Sequence, residues 1–191
     1  MAPKKQIQTA LLSVFHKEGI VSLAESLHKQ GVKLYSTGGT QQALEAAGLP
    51  VTAVETLTGY PSILGGRVKT LHPAVFGGIL ARREETSDKE TLEKYNLPAL
   101  DMVVVDLYPF EQTVKDDGHH ADIIEKIDIG GISLIRAAAK NYKDVLVIAS
   151  RDQYDNLLTI IEEQHAGTTL DVRKHFAREA FNISSHYDTL I

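Results

Sequence analysis

The sequence predicts an α/β domain built on a mainly parallel sheet. Short β-like apolar runs alternate along the chain with segments of helical periodicity, the pattern of β-α-β units. The two strongest later runs, Met102 to Leu107 and Val145 to Ala149, are apolar and β-branched along most of their length, as strands covered on both faces tend to be. A chain of 191 residues with 43% hydrophobic content suits one core, since single domains hold about 100–200 residues. Residues 1–191 are therefore expected to form a single domain.

Thr9 to Val14 and Lys33 to Tyr35 read as strands. Between them, Ile20, Leu23, Ala24 and Leu27 mark one face of a helix over Ile20 to Gln30. Gly38-Gly39 turns the chain into a helix over Thr40 to Ala47, and Gly48 is placed to end it before a short strand at Val51 to Val54. Helical spacing recurs at Thr86 to Tyr95, Ile123 to Ile127, Ser133 to Asn141 and Tyr154 to Gln164. Leu170 to Ile191 reads as one or two closing helices. No internal repeat, low-complexity tract or interdomain linker is visible.

Lys and Arg number 20 against 25 Asp and Glu, a formal net charge of -5, so the bulk field does not favour a polyanion and no nucleic-acid partner is expected. The lack of cysteine excludes disulfides, thiolate nucleophiles and thiolate zinc sites. No apolar run approaches the roughly 20 residues that span a bilayer. Met1 to Lys5 is basic, but no apolar signal-peptide core follows, so a cytoplasmic protein without a membrane partner is expected. Eight histidines include no HExxH pair, and adjacent His119 and His120 point apart on any regular element, so no metal is expected.

The most informative segment is Leu64-Gly-Gly-Arg-Val-Lys-Thr-Leu-His-Pro73. Its two glycines permit close backbone approach, and Arg67, Lys69 and Thr70 add two cations and a hydroxyl suited to an anion. A polar surface turn is the alternative. His72 either touches a ligand or braces the turn before Pro73.

Ser36-Thr37-Gly38-Gly39-Thr40 lies between a strand and a helix, where backbone N–H groups and the helix dipole favour a monophosphate. The alternative is a tight turn with Thr40 as an ordinary N-cap. Neither a Walker lysine nor the full dinucleotide fingerprint is present. Ser13 and Lys17 end the first strand at the edge where parallel sheets open into a crevice.

Tyr108, before Pro109 and Phe110, projects from the end of another strand, either toward that crevice or over the core. Asp128-Ile129-Gly130-Gly131, followed by Lys140-Asn141, offers an acid, a lysine and backbone N–H groups suited to an oxyanion. Alternatively, Asp128 is a helix cap and Lys140 a helix C-terminal charge.

Taken in order, Ser36 to Thr40, Leu64 to Pro73, Tyr108-Pro109-Phe110, Asp128 to Gly131 and Arg136 to Asn141 resemble the inosine monophosphate cyclohydrolase domain. That domain is the amino-terminal half of a bifunctional purine-biosynthesis enzyme that also carries a formyltransferase. The similarity runs from about Ala10 to Ile191. It implies a methylglyoxal-synthase-like three-layer α/β/α fold and dehydrative closure of a formylated aminoimidazole carboxamide ribonucleotide to inosine monophosphate. It implies no cofactor, no metal and a homodimer, and in this chain the formyltransferase half is not expected.

By position, the resemblance assigns Ser13, Lys17, Ser36, Thr37, Gly38, Gly39, Thr40, Arg67 and Thr70 to the 5′-phosphate and its surroundings. It assigns Lys69, Tyr108, Asp128 and Lys140 to the reacting groups, with N–H groups of Ile129, Gly130 and Gly131 facing the formyl oxygen. Asp128 and Lys140 are expected to titrate as a pair. Arg67 is expected to act mainly in binding and Lys69 in turnover.

Two segments depart from the family pattern, at three residues: Phe15-His16-Lys17 stands where Ser-Asp-Lys is usual, and Asp106 where asparagine is usual. A non-catalytic effector-binding domain, like the regulatory domain of carbamoyl phosphate synthetase, would need Ser36 to Thr40 but not Lys69, Tyr108, Asp128 and Lys140 together. A methylglyoxal synthase would need a carboxylate beside the phosphate turn and leaves Arg67 to Pro73 unexplained.

Overall fold

The computed structural model describes residues 4–116 and 118–191; Met1 to Pro3 of the basic start lie outside the described residues. In chain order the elements are β1 (Lys5–Gln6), β2 (Thr9–Val14), α1 (Ile20–Lys29), β3 (Lys33–Ser36), α2 (Gly38–Ala46), β4 (Val51–Ala53), α3 (Val54–Thr58), α4 (Pro73–Leu80) and α5 (Thr86–Lys94). There follow β5 (Met102–Asp106), α6 (Phe110–Lys115), α7 (His120–Glu125), α8 (Gly130–Lys140), β6 (Leu146–Ile148), α9 (Tyr154–Gln164), β7 (Gly167–Thr168) and α10 (Leu170–Leu190). Five strands form a parallel sheet in the order β4-β3-β2-β5-β6, while β1 and β7 form a small antiparallel pair.

Alternation along the strands explains why they read as continuous apolar runs. Ala10, Leu12 and Val14 of β2, Met102 and Val104 of β5, and Leu146 and Ile148 of β6 face a core completed by α1 and α9. Leu11, Val103, Val105 and Val147 face the opposite core, against α4, α8 and α10. Both faces are therefore covered, and the molecule has three layers.

Most differences from the sequence reading are at element ends. Val54 opens α3 instead of ending β4, Leu107 lies beyond β5, and Leu170 to Leu190 is a single helix. Gly48, at φ +79°, ends α2 as anticipated, with its N–H on Glu45 O and that of Leu49 on Leu44 O. Helix α8 starts at Gly130, three residues before its clear apolar periodicity.

Helix α4 was not legible because it is apolar almost throughout and interrupted by Gly77-Gly78. Pro73 occupies its first turn, and His72 Nδ1 accepts from Ala74 N at 3.1 Å, so His72 braces the turn.

Gly78 lets α4 approach the loop before β5: a Cβ there would lie 2.4 Å from Pro98 O. Helix propensity alone favours Gly78→Ala by about 1 kcal/mol. The backbone clash should outweigh this, with a net loss of about 1–3 kcal/mol in urea unfolding.

Candidate active site

The chain builds outward from β2 in two directions, to β3 and β4 on one side and to β5 and β6 on the other. The crevice at the carboxyl ends of β2, β3 and β5 thus lies where a doubly wound sheet places ligands. A cavity of about 680 Å³ occupies it, within the range of small-molecule sites. Its walls include Ser13, Lys17, Thr37, Gly39, Thr40, Arg67, Lys69, Thr70, Tyr108, Asp128, Ile129, Gly130 and Gly131. Five distant sequence segments therefore meet in one place.

At one end of the cavity stands the first turn of α2. Gly38 has φ +45°, and helix formation begins there, so Thr40 is inside the helix and is not its cap. The Thr40 hydroxyl donates to Val14 O at 2.9 Å and accepts from Val14 N at 3.1 Å, fastening α2 to the end of β2. Ser36 is likewise structural: its buried hydroxyl donates to Leu12 O, and it does not line the cavity. Ser13 Oγ and Thr37 Oγ1 share a hydrogen bond of 3.0 Å at the cavity wall.

Two ammonium groups converge on this turn. A Cβ on Gly38 would lie 2.9 Å from Lys69 Nζ, and one on Gly39 would lie 3.6 Å from Lys17 Cε. Lys17 Nζ donates to the carbonyls of Val14 and Phe15, at 2.5 and 2.7 Å. Burial, and then the charge of Lys69, press the Lys17 pKa below its ordinary value, against the opposing pull of Asp106 and Glu18. Among the described residues neither lysine has a carboxylate partner. Two cations at a helix N-terminus are suited to an anion.

Arg67 is placed differently. Its guanidinium pairs with Glu125 of α7 across the cavity mouth, with both side chains exposed. Leu64, Gly65 and Gly66 all have positive φ, which explains why glycine is used twice in this loop.

Another part of the cavity wall is formed by the loop before α8. Asp128 Oδ1 accepts from Gly131 N at 2.6 Å, so Asp128 lines the cavity and caps α8 at once. That bond corrects one expectation: the Gly131 N–H is committed to Asp128 and does not face an incoming oxyanion. Gly130 approaches Thr70 closely, since a Cβ there would lie 2.9 Å from Thr70 Oγ1. Burial raises the Asp128 pKa above the ordinary carboxylate value; N–H groups of Gly131 and Ile132 oppose this, and the Asp106 charge adds to it. Tyr108, at the end of the β5 segment, has its pKa raised by burial and then by Asp128 and Glu125, which keeps it a phenol and a donor.

Lys140 is not in this cavity within the chain. It ends α8, exposed, while Gly130 begins that helix, and ten residue steps of 1.5 Å separate them by about 15 Å. The expected Asp128–Lys140 pair therefore does not form within one chain. Local spacing could not reveal this, because a helix carries its two ends in opposite directions.

Several contributors were not foreseen. Phe15 stacks edge-on to Tyr108, with ring centroids 5.3 Å apart, and Lys126 Nζ lies 5.3 Å from the Phe15 centroid and 5.6 Å from that of Tyr108. Tyr187, far along α10, donates its hydroxyl to Lys126 O at 2.6 Å and accepts from Asp128 N at 2.9 Å. Nothing near Tyr187 in sequence signals that role. Tyr187→Phe should cost about 1–3 kcal/mol in urea unfolding by stranding both backbone groups, and should speed hydrogen exchange at the Asp128 amide.

No group of three or more His, Asp or Glu side chains among the described residues is placed to hold a metal ion. No helix among them is long and apolar enough to cross a membrane.

Comparison with known proteins agrees with this architecture. The MGS-like domain model matches residues 19–133, and the AICARFT/IMPCHase bienzyme model matches residues 138–191. The bifunctional purine biosynthesis protein PurH of Bacteroides thetaiotaomicron (strain ATCC 29148 and its equivalents) is 58% identical over 191 residues, all of this chain but 38% of that protein. PurH of Synechococcus sp. (strain CC9605) is 54% identical over 184 residues, 95% of this chain and 35% of the relative. The chain thus spans little more than a third of the length of these relatives. The crystal structure of ForH superposes with a TM-score of 0.81 and 35% identity, covering 96% of each chain. With its three-layer parallel sheet, its carboxyl-end cavity and these matches, the chain belongs to the MGS-like domain family.

Proposed function

We propose that this chain is an IMP cyclohydrolase, closing 5-formamidoimidazole-4-carboxamide ribonucleotide to inosine monophosphate. The observation that carries the reading is a single cavity whose wall holds both the lysines at the start of α2 and Asp128 with Tyr108. A phosphate and a reacting heterocycle in one substrate match those two chemistries.

In the reaction the carboxamide nitrogen attacks the formyl carbon of the same molecule. A C–N bond forms, then the formyl oxygen leaves as water with one carboxamide proton and the formamido proton. Since both partners belong to one substrate, selection of the cyclising conformer supplies much of the acceleration. Lys17, Lys69, Thr37 and the α2 N-terminus bind the phosphate, while Ser13 supports Thr37. Asp128, ionised above its raised pKa, accepts the carboxamide proton. Tyr108 donates to the developing oxyanion, and the N–H groups of Ile129 and Gly130 supplement it. Residues 1–191 act as one cyclohydrolase unit; formyl transfer is not proposed for it. A homodimer in the cytoplasm completes the proposal, and light scattering that finds only monomer at working concentrations would remove the dimer.

Ultraviolet-monitored conversion of the formylated substrate by the purified chain, in EDTA, tests this reading, with Asp128→Asn as control. Metal-independent turnover lost in the control is the expected result. Tight nucleotide binding without conversion would replace this reading with an effector-binding domain.

A further inference from the structure

His16 and Asp106 both stand at positions that depart from the family pattern, as does Phe15 beside them, and in the structure they are each other's partners. Asp106 ends β5 on the cavity wall, and its Oδ2 receives both the backbone N–H of His16 and its ring Nδ1, each at 2.7 Å. A carboxylate only accepts, so the proton lies on Nδ1. We propose that His16 and Asp106 are a coupled positioning pair that locks the loop after β2 onto the end of β5 and so fixes Phe15, Tyr108 and Lys17 in the cavity. This inference deepens the cyclohydrolase reading and rests on it for its kinetic consequences.

Three contacts carry the coupling. Phe15 links the pair to Tyr108: its ring meets His16 edge-on at 4.9 Å and Tyr108 at 5.3 Å. Phe15 N also donates to Asp106 O at 3.4 Å, so the main chain is joined beside the side-chain bond. On the other side of His16, Lys17 is held by the carbonyls of Val14 and Phe15, whose positions the same loop sets. Asp106 borders the cavity, but among the described residues neither side chain of the pair hydrogen-bonds the side chains of Lys17, Lys69, Tyr108 or Asp128. The pair acts through Tyr108, two residues beyond Asp106, and through Lys17, one residue beyond His16. The Asp106 charge also faces Asp128 and Lys17. A misplacement of about 1 Å at such neighbours is enough to slow a reaction by up to a hundredfold.

The test compares wild type with His16→Ala, His16→Asn, Asp106→Ala and the double alanine variant. The asparagine amide donates from nearly the place of Nδ1. His16→Ala and Asp106→Ala should each lower kcat about tenfold or more, with KM changed less than threefold and the unfolding midpoint nearly kept. The double variant should be no worse than the worse single one, and His16→Asn should stay within about threefold of wild type. A merely structural contact would instead show activity losses that follow the unfolding midpoint, whether or not they add.

Independently of turnover, ¹⁵N NMR of the imidazole should find the neutral His16 proton on Nδ1 in wild type. In Asp106→Ala it should move to Nε2. An unchanged tautomer in Asp106→Ala, wild-type kcat in His16→Ala, or equal losses in His16→Asn and His16→Ala would each overturn the proposal. A chain that converts no substrate but shows the tautomer change would defeat the cyclohydrolase reading and leave the pair standing.

Discussion

Asp128→Asn is expected to lower kcat by about a hundredfold or more while leaving the fold intact. General-base catalysis is typically worth about 10²–10⁴, and the asparagine amide cannot take a proton. Asparagine does keep an oxygen where Asp128 Oδ1 accepts from Gly131 N, and it is as good an N-terminal helix cap as aspartate. Stability should therefore move in the opposite direction from activity. Burial raises the Asp128 pKa, so the folded state holds that proton more tightly than the unfolded chain. Its stabilising contribution is full at pH below the unfolded value and is lost as pH rises through the raised folded value. At pH above the raised folded value the wild type thus carries a buried charge that the variant lacks, and there the variant's unfolding midpoint should equal or exceed that of wild type. The acid limb of kcat should lie above the ordinary carboxylate value of about 3.9 and vanish in the variant. A kcat within threefold of wild type would remove Asp128 from the reacting groups.

Lys69→Ala should weaken nucleoside monophosphate binding by about tenfold to a hundredfold, the scale of one charge-assisted hydrogen bond to phosphate. The family resemblance places Lys69 with the reacting groups, but its ammonium lies against Gly38 at the start of α2, beside Lys17. With two cations on one helix N-terminus, phosphate binding relieves a repulsion as well as making new bonds. Arg67→Ala should have the smaller effect on binding, because Glu125 already engages that guanidinium at the cavity mouth. Isothermal titration with inosine monophosphate measures both. Undiminished affinity in Lys69→Ala with a lower kcat would return Lys69 to the reacting end.

Much of the sheet was legible because its signal is local. In Met102 to Asp106 every residue but the last is apolar and buried, and period-two alternation sends Val103 and Val105 to one core and Met102 and Val104 to the other. Helix α9 was read to its ends because Tyr154, Leu157 and Ile161 repeat at helical spacing. Helix α4 escaped because an apolar helix containing two glycines has no polar face to reveal its period.

The sequence by itself determined the α/β class, the order of the five strands of the parallel sheet and of most helices, the strand-turn-helix junction at α2 and most of the residues that line the cavity, because each rests on neighbours within a few positions. Only the tertiary structure decided how those residues divide their work. It turned Ser36 and Thr40 into fasteners between strands and helix, drew Lys69 to Lys17, committed the Gly131 N–H to Asp128, and carried Lys140 about 15 Å away along α8. It also brought in Tyr187, 59 positions from Asp128, and joined His16 to Asp106 across 90. Such contacts depend on how whole elements cross and on which end of each faces the crevice, and chain folding sets that geometry without leaving a mark in local spacing.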